Sequence, residues 1–154
     1  MQRRQHDMFA RAIQQVFRVM LKTDVRVCAP QLKQPTDKGN DVSAIIGFGG
    51  GASGNIALCF PLATGLTAAQ RFAEEALVPE NPLFADALGE LVNMVAGQAR
   101  GSMGDSEVHL SLPRLVVGTD FELMDSREQP VCVLPCESAM GQFSLEVMMG
   151  NRHR

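Results

Sequence analysis

The chain has 154 residues, of which 45% are apolar and 20% charged, with a formal net charge of -3. That length suits one globular domain that buries roughly 70% of its unfolded surface without a metal or disulfide framework. The lack of Trp and Tyr argues against a base-stacking surface for single strands, and the net acidity against nucleic acid or an anionic membrane as main partner.

Residues 7–22 predict a first helix, because Phe9, Ile13, Val16, Phe17 and Met20 recur at helical spacing. Arg3, Arg4, Arg11, Arg18 and Lys22 make it basic, and such charges on an amphipathic helix most often form a solvated face, the alternative being a membrane-surface or partner helix. The first residues lack the apolar core and cleavage site of a signal peptide, and no run approaches the ~20 apolar residues of a membrane span. The sequence therefore predicts a soluble, cytoplasmic protein.

Thr23 to Ala29 alternates like a short strand, and the polar run 31–41, with Pro35 and Gly39, reads as a loop. Residues 42–48 and 55–61 read as two further strands. Between them Gly49, Gly51 and Gly54 spell a literal GxGxxG. A dinucleotide fingerprint needs a helix N-terminus after it to hold the pyrophosphate. Here a strand-like segment follows, so the glycines predict a hairpin turn.

Residues 62–76 predict a second helix with Thr64 or Thr67 as cap and Leu66, Ala69, Phe72, Ala73 and Leu77 on its apolar face. Pro79 and Pro82 interrupt the pattern. A third helix starts with Asn81 as N-cap and Pro82 in its first turn, and ends between Gly101 and Gly104. The remainder reads as strands at 108–112, 115–117, 121–124, 130–136 and 142–149, the last two joined by a turn at 137–141. Separate runs of helix and strand with hairpin-length connections imply an α+β fold, a mostly antiparallel sheet with about three helices packed on it, formed by residues 1–154 as one domain.

Few residues are placed for chemistry. Cys28, Cys59, Cys132 and Cys136 form no CxxC pair and sit mostly among apolar neighbours, as small buried hydrophobes in a reducing compartment do. Cys132 and Cys136 share one face of a strand, too far apart to bridge. His6, His109 and His153 are scattered, whereas zinc needs three or four converging ligands. Nothing resembles the GxSxG of a serine hydrolase.

What stands out is the third helix. Phe84, Leu88, Leu91, Val92, Val95 and Ala99 form one apolar arc, and Asp86, Glu90, Asn93, Gly97 and Arg100 line the opposite side. Asn is a mediocre helix former, but its carboxamide both donates and accepts a hydrogen bond without a change of charge. That suits orienting a water or a substrate oxygen. Gly97 costs about 1 kcal/mol relative to Ala in a helix, and its use on an exposed stripe would be close approach by another surface; the pattern alone fits more simply a solvated polar face with a packing glycine.

The run GELVNMVAGQAR, preceded by Asp86, resembles the chemotaxis phosphatase family that includes CheX and CheC. The family motif is Asp or Ser, three residues, Glu, two residues, Asn, and a later Pro, which here are Asp86, Glu90, Asn93 and Pro113. The hairpin VSAIIGFGG to GNIALCF before the helix and SLPRLVVG after it also match, and the single motif copy is similar to CheX. The resemblance implies a CheX/CheC-like fold and a phosphatase acting on a phosphorylated receiver domain of the CheY type. Glu90 would pair with the receiver's lysine and Asn93 would orient the attacking water. Asp86, Gly97 and Arg100 would flank the contact. The chain would need no cofactor of its own, since the Mg²⁺ would belong to the receiver. The resemblance also implies a homodimer whose sheets join, with the late strands as interface. The alternative is a non-catalytic CheX-like module that binds a receiver or a flagellar or signalling partner.

Overall fold

The computed structural model describes residues 1–34, 40–104, 107–118 and 130–150; the strand expected at 121–124 and His153 lie outside them. Among the described residues there are three helices and one eight-stranded antiparallel sheet. None of these helices is long and apolar enough to cross a membrane.

Helix α1 spans Arg3–Leu21 and buries Phe9, Ile13, Val16 and Phe17. It begins four residues before the expected start at residue 7, so its first turn is polar. Lys22 closes it in the left-handed conformation, with its N–H bonded to the Phe17 carbonyl. Strands β1 (Val25–Val27) and β2 (Gln31–Leu32) follow. Strand β2 lies in the run expected to be a loop. Its two exposed residues have no strand pattern of their own; pairing with Val133 and Cys132 makes them a strand.

Strands β3 (Val42–Gly50) and β4 (Gly54–Phe60) form the glycine-rich hairpin, and helix α2 (Leu62–Ala73) follows. Two of the hairpin glycines are required. Gly50 has φ 71 and Gly54 φ 146, and a Cβ at either would stand 2.0 Å from a backbone oxygen, that of Glu107 or Met148. Gly49, part of the GxGxxG, meets no such demand.

Helix α2 departs from expectation in two ways. Neither Thr64 nor Thr67 caps it. Its first amide, at Leu62, donates to the Asp41 carboxylate at 2.7 Å, a partner 21 residues earlier that no local pattern reveals. Its buried side is Thr64, Gly65, Ala68 and Ala69. Leu66 and Phe72 are only partly buried. Small residues face inward because the helix lies close to β4: a Cβ on Gly65 would stand 3.1 Å from that of Phe60.

After helix α3 (Pro82–Met103) come β5 (Val108–Leu110), β6 (Arg114–Val117), β7 (Cys132–Ser138) and β8 (Gly141–Met149). The β7–β8 turn is tighter than expected, since Ser138 pairs with Gly141 across two residues. The sheet order is β1-β7-β8-β4-β3-β5, with β2 also on β7 and β6 also on β3. Among the described strands after α3, β7 and β8 are paired on both sides, whereas β5 and β6 each have a described partner on one side.

Alternation along the central strands splits the interior. Ala44, Ile46, Ile56, Leu58, Leu145 and Val147 join the helices in the main core, and Ile45, Ala57, Cys59 and Met148 form a second cluster on the other face. Phe143 stacks between Phe17 and Phe60, with ring centroids at 4.9 and 5.4 Å. Aromatic contacts of this kind tie α1 to the strand that precedes α2.

Candidate functional site

Helix α3 is set on the sheet by its start, its end and its inner side. The Asn81 side chain accepts the Leu83 amide at 3.0 Å and Pro82 occupies the first turn, the arrangement that orphan N-terminal amides favour. Gly104 ends the helix in the left-handed conformation, φ 67. Between them Phe84, Leu88, Leu91, Val92, Val95 and Ala99 are all buried. The helix packs on α1, α2 and strands β3 to β6, so its rotation about its own axis is determined and its outer side points away from the protein.

That outer side carries Asp86, Glu90 and Arg100, all exposed, with Asn93 and Gly97 half-buried. Spacings of three and four make Asp86, Glu90, Asn93 and Gly97 neighbours in one stripe. None of Asp86, Glu90, Asn93 and Arg100 forms an ion pair or a side-chain hydrogen bond with another described residue. Two carboxylates, a carboxamide and a guanidinium are held on a rigid support with their bonding capacity unused by the fold. At Gly97 an added Cβ would meet no atom within 4 Å, so this chain's own packing does not require the glycine.

Pro113, twenty residues beyond Asn93 in sequence, stands against the same helix. A Cβ on Gly89 would lie 3.5 Å from the Pro113 Cγ, and Gly89 is one turn from Asn93. The segment Ser111–Pro113 is pinned. The Ser111 amide donates to the Gly47 carbonyl at 2.9 Å, and the Gly47 amide donates to the Ser111 hydroxyl at 2.9 Å. That hydroxyl in turn donates to the Leu112 carbonyl at 3.2 Å. Leu112, next to Pro113 in the chain, is left 87% exposed.

Sequence reasoning overlooked Gly89 and Ser111. Gly89 carried a signal, a second glycine within an apolar helical run. Ser111 carried none, because its partner Gly47 is 64 residues away.

The other candidates for chemistry do not gather. Among the described residues no group of three or more His, Cys, Asp or Glu could hold a metal. Cys59, Cys132 and Cys136 are buried, Cys28 half-buried, and all four are free. Burial, then the nearby Glu146 carboxylate, pushes the Cys59 thiol up to about 12. Burial also pushes the Cys136 thiol up to about 12, with Cys28 adding to the rise. A thiol with so high a pKa is a poor nucleophile at neutral pH.

Comparison with known families matches residues 42–137 to the family described as chemotaxis phosphatase CheX. Comparison with curated proteins finds no match. Among solved structures, a chemotaxis protein CheX from Desulfovibrio desulfuricans is 23% identical, covering 96% of this chain and 99% of its own, with a TM-score of 0.84. A chemotactic CheC-like protein from Shewanella oneidensis is 26% identical over 94% of this chain and 96% of its own, with a TM-score of 0.77. The CheX of a CheX–CheY–BeF₃–Mg²⁺ complex from Borrelia burgdorferi is 19% identical over 95% of this chain and 97% of its own, with a TM-score of 0.79.

Proposed function

The chain belongs to the CheX chemotaxis phosphatase family, and from that premise we propose that it dephosphorylates a phospho-aspartyl receiver domain of the CheY type, with α3 as the working surface. The observation that carries this reading is the outer stripe of α3, whose Glu90 and Asn93 are rigidly presented and unengaged by their own fold. The CheX of the Borrelia burgdorferi complex, captured with CheY, BeF₃ and Mg²⁺, supports a receiver as the partner.

Hydrolysis of an aspartyl phosphate is an in-line attack of water on phosphorus. The bond from phosphorus to the aspartyl oxygen breaks, the carboxylate is regenerated, and both protons of the water leave with inorganic phosphate. Such transfers depend on positioning and charge neutralisation more than on covalent help. The receiver's own lysine and Mg²⁺ supply the neutralisation, so the chain needs no cofactor of its own. What it adds is alignment of the water. Asn93 suits this: its carboxamide oxygen accepts a proton of the water, its NH₂ donates to a phosphoryl oxygen, and its neutrality avoids repulsion of the phosphoryl anion. Glu90 anchors the receiver through its lysine. Asp86 and Arg100 flank the contact, and Gly97 leaves clearance for the incoming surface. The working site is cytoplasmic, where the receiver is phosphorylated, and a homodimer forms through the late strands.

Phosphorylated receivers from the same organism, mixed with the protein while phosphate release is followed, test the reading. The intact chain accelerates release. Asn93→Ala loses about a hundredfold of the acceleration, the scale of one positioned hydrogen-bonding group, and still binds the receiver. Glu90→Ala weakens association about tenfold, as loss of a charge-assisted contact does. Failure of the intact chain to accelerate release from any receiver would sink the proposal.

A further inference from the structure

The basic residues of α1 take no part in the chemistry proposed for α3, yet they border it. Arg4, Arg11 and Arg18 recur every seven residues, two helical turns, and so stand in one row. Arg11 and Arg18, with Gln14 and Gln15 of α1 and Gln98 and Ser102 of α3, line a groove of about 400 Å³ between the helices. Gln98 lies one turn beyond Met94, itself one turn beyond Glu90. The groove is thus continuous with the stripe that carries Glu90, Asn93 and Gly97.

The charge of this region opposes that of the molecule. Residues 3–22 hold five cations and one acid, a net +4, which leaves -7 for the rest of a chain whose net charge is -3. The one acid, Asp7, lies 3.4 Å from His6. Arg18 lies 3.3 Å from Asp24 with both side chains largely exposed, a pairing that solvent readily exchanges. Arg11 has no ion-pair partner among the described residues. The outer surface of the helices is therefore bipolar, with the carboxylates Asp86 and Glu90 on α3 beside guanidiniums on α1.

We propose that the Arg11–Arg18 groove is the orienting half of the docking surface and receives the acidic rim of the phosphorylated receiver. This rests on the activity proposed above. A phosphoryl group carries about -1.5 to -2 at neutral pH, and the carboxylates that hold Mg²⁺ beside it add further negative charge, of which the ion and the lysine cancel only part. A standard interface covers about 800 Å² per partner, a patch about 30 Å across, whereas packed helices lie about 8–10 Å apart. A receiver centred on Asn93 therefore covers the groove as well. Its lysine meets Glu90 and its acids meet Arg11 and Arg18, and only one orientation satisfies both. Complementary charge of this kind raises the association rate and selects the partner without altering the chemical step.

Phosphate release over a series of ionic strengths, for the wild type, R11E/R18E, R11Q/R18Q and R11K/R18K, tests the assignment. Charge reversal raises KM about tenfold, leaves kcat within about twofold, and flattens the salt dependence of kcat/KM. The glutamine variant gives a smaller rise of the same kind, and the lysine variant stays near wild type. The urea midpoint is measured alongside, and the glutamine pair decides if the reversal unfolds the chain. Unchanged KM and salt dependence in the reversed and glutamine variants would overturn the proposal while the activity stands. No acceleration by the wild type for any receiver would remove both. Binding of the wild type to vesicles rich in anionic lipid, lost in R11E/R18E while KM is unmoved, would assign the row to a membrane surface instead.

Discussion

Leu88, Leu91, Val92 and Val95 on the inner side of α3 are completely buried, while Glu90 and Asn93, their neighbours in the chain, form no ion pair or side-chain hydrogen bond with another described residue. The inner residues are accounted for by the fold: each fills space against α1, α2 or the sheet, and burial of a side chain this size stabilises by about 1.5–3 kcal/mol. The outer residues contribute nothing comparable. Asn in a helix interior is mildly unfavourable and Gly97 costs about 1 kcal/mol relative to Ala. The difference teaches where to look for function. One side of the helix answers to stability, and the other, which adds little to it, is where the proposed docking is placed.

The comparison breaks most sharply at Leu91. Leu91→Ala removes a fully buried side chain and is expected to cost about 3 kcal/mol, measured by urea denaturation. Phosphate release per folded molecule stays near wild type. A much larger loss of activity than of folded protein would mean that the two sides are not separable.

Titrating the interior sharpens the same contrast. The Cys59 and Cys136 thiols, pushed up to about 12 by burial, ionise near pH 9 once the chain unfolds. Between those values the native state holds more protons than the unfolded state. Stability, complete below about pH 9, therefore falls as pH rises toward 12, by at most about 1.4 kcal/mol per thiol per pH unit. Urea midpoints between pH 8 and 10 read this slope. Cys59→Ala and Cys136→Ala each remove part of it, whereas Asn93→Ala leaves it intact.

Gly97 gives the smallest effect and the clearest separation of sign. A Cβ there meets no atom of the chain within 4 Å. Gly97→Ala is therefore expected to stabilise the protein by up to about 1 kcal/mol through helix propensity, seen as a small rise in Tm. The same methyl crowds the docking surface and raises KM several-fold. A rise in stability with unchanged KM would remove the clearance role.

Much of this is legible in the sequence. Periodicity alone placed the six inner residues of α3, Asn81 and Pro82 marked its start, and the glycine-rich turn between β3 and β4 followed from the lack of a helix after it. These features are local: a cap, a 3.6-residue repeat and a turn are written within a few residues of where they act. The family motif singled out Glu90 and Asn93 among the polar residues of the stripe, a choice that spacing could not make.

Tertiary structure decided the rest. Strand β2 exists because β7 offers it partners. Asp41, not a local threonine, caps α2, and small residues face inward there because β4 lies close. Pro113 meets Gly89 only because Ser111 is tied to Gly47, and Arg11 joins Gln98 in one groove only because α1 packs on α3. Each of these contacts joins segments that are far apart in the chain. Their energy depends on which surfaces the sheet brings within a few ångströms of each other, and no window of sequence contains that information.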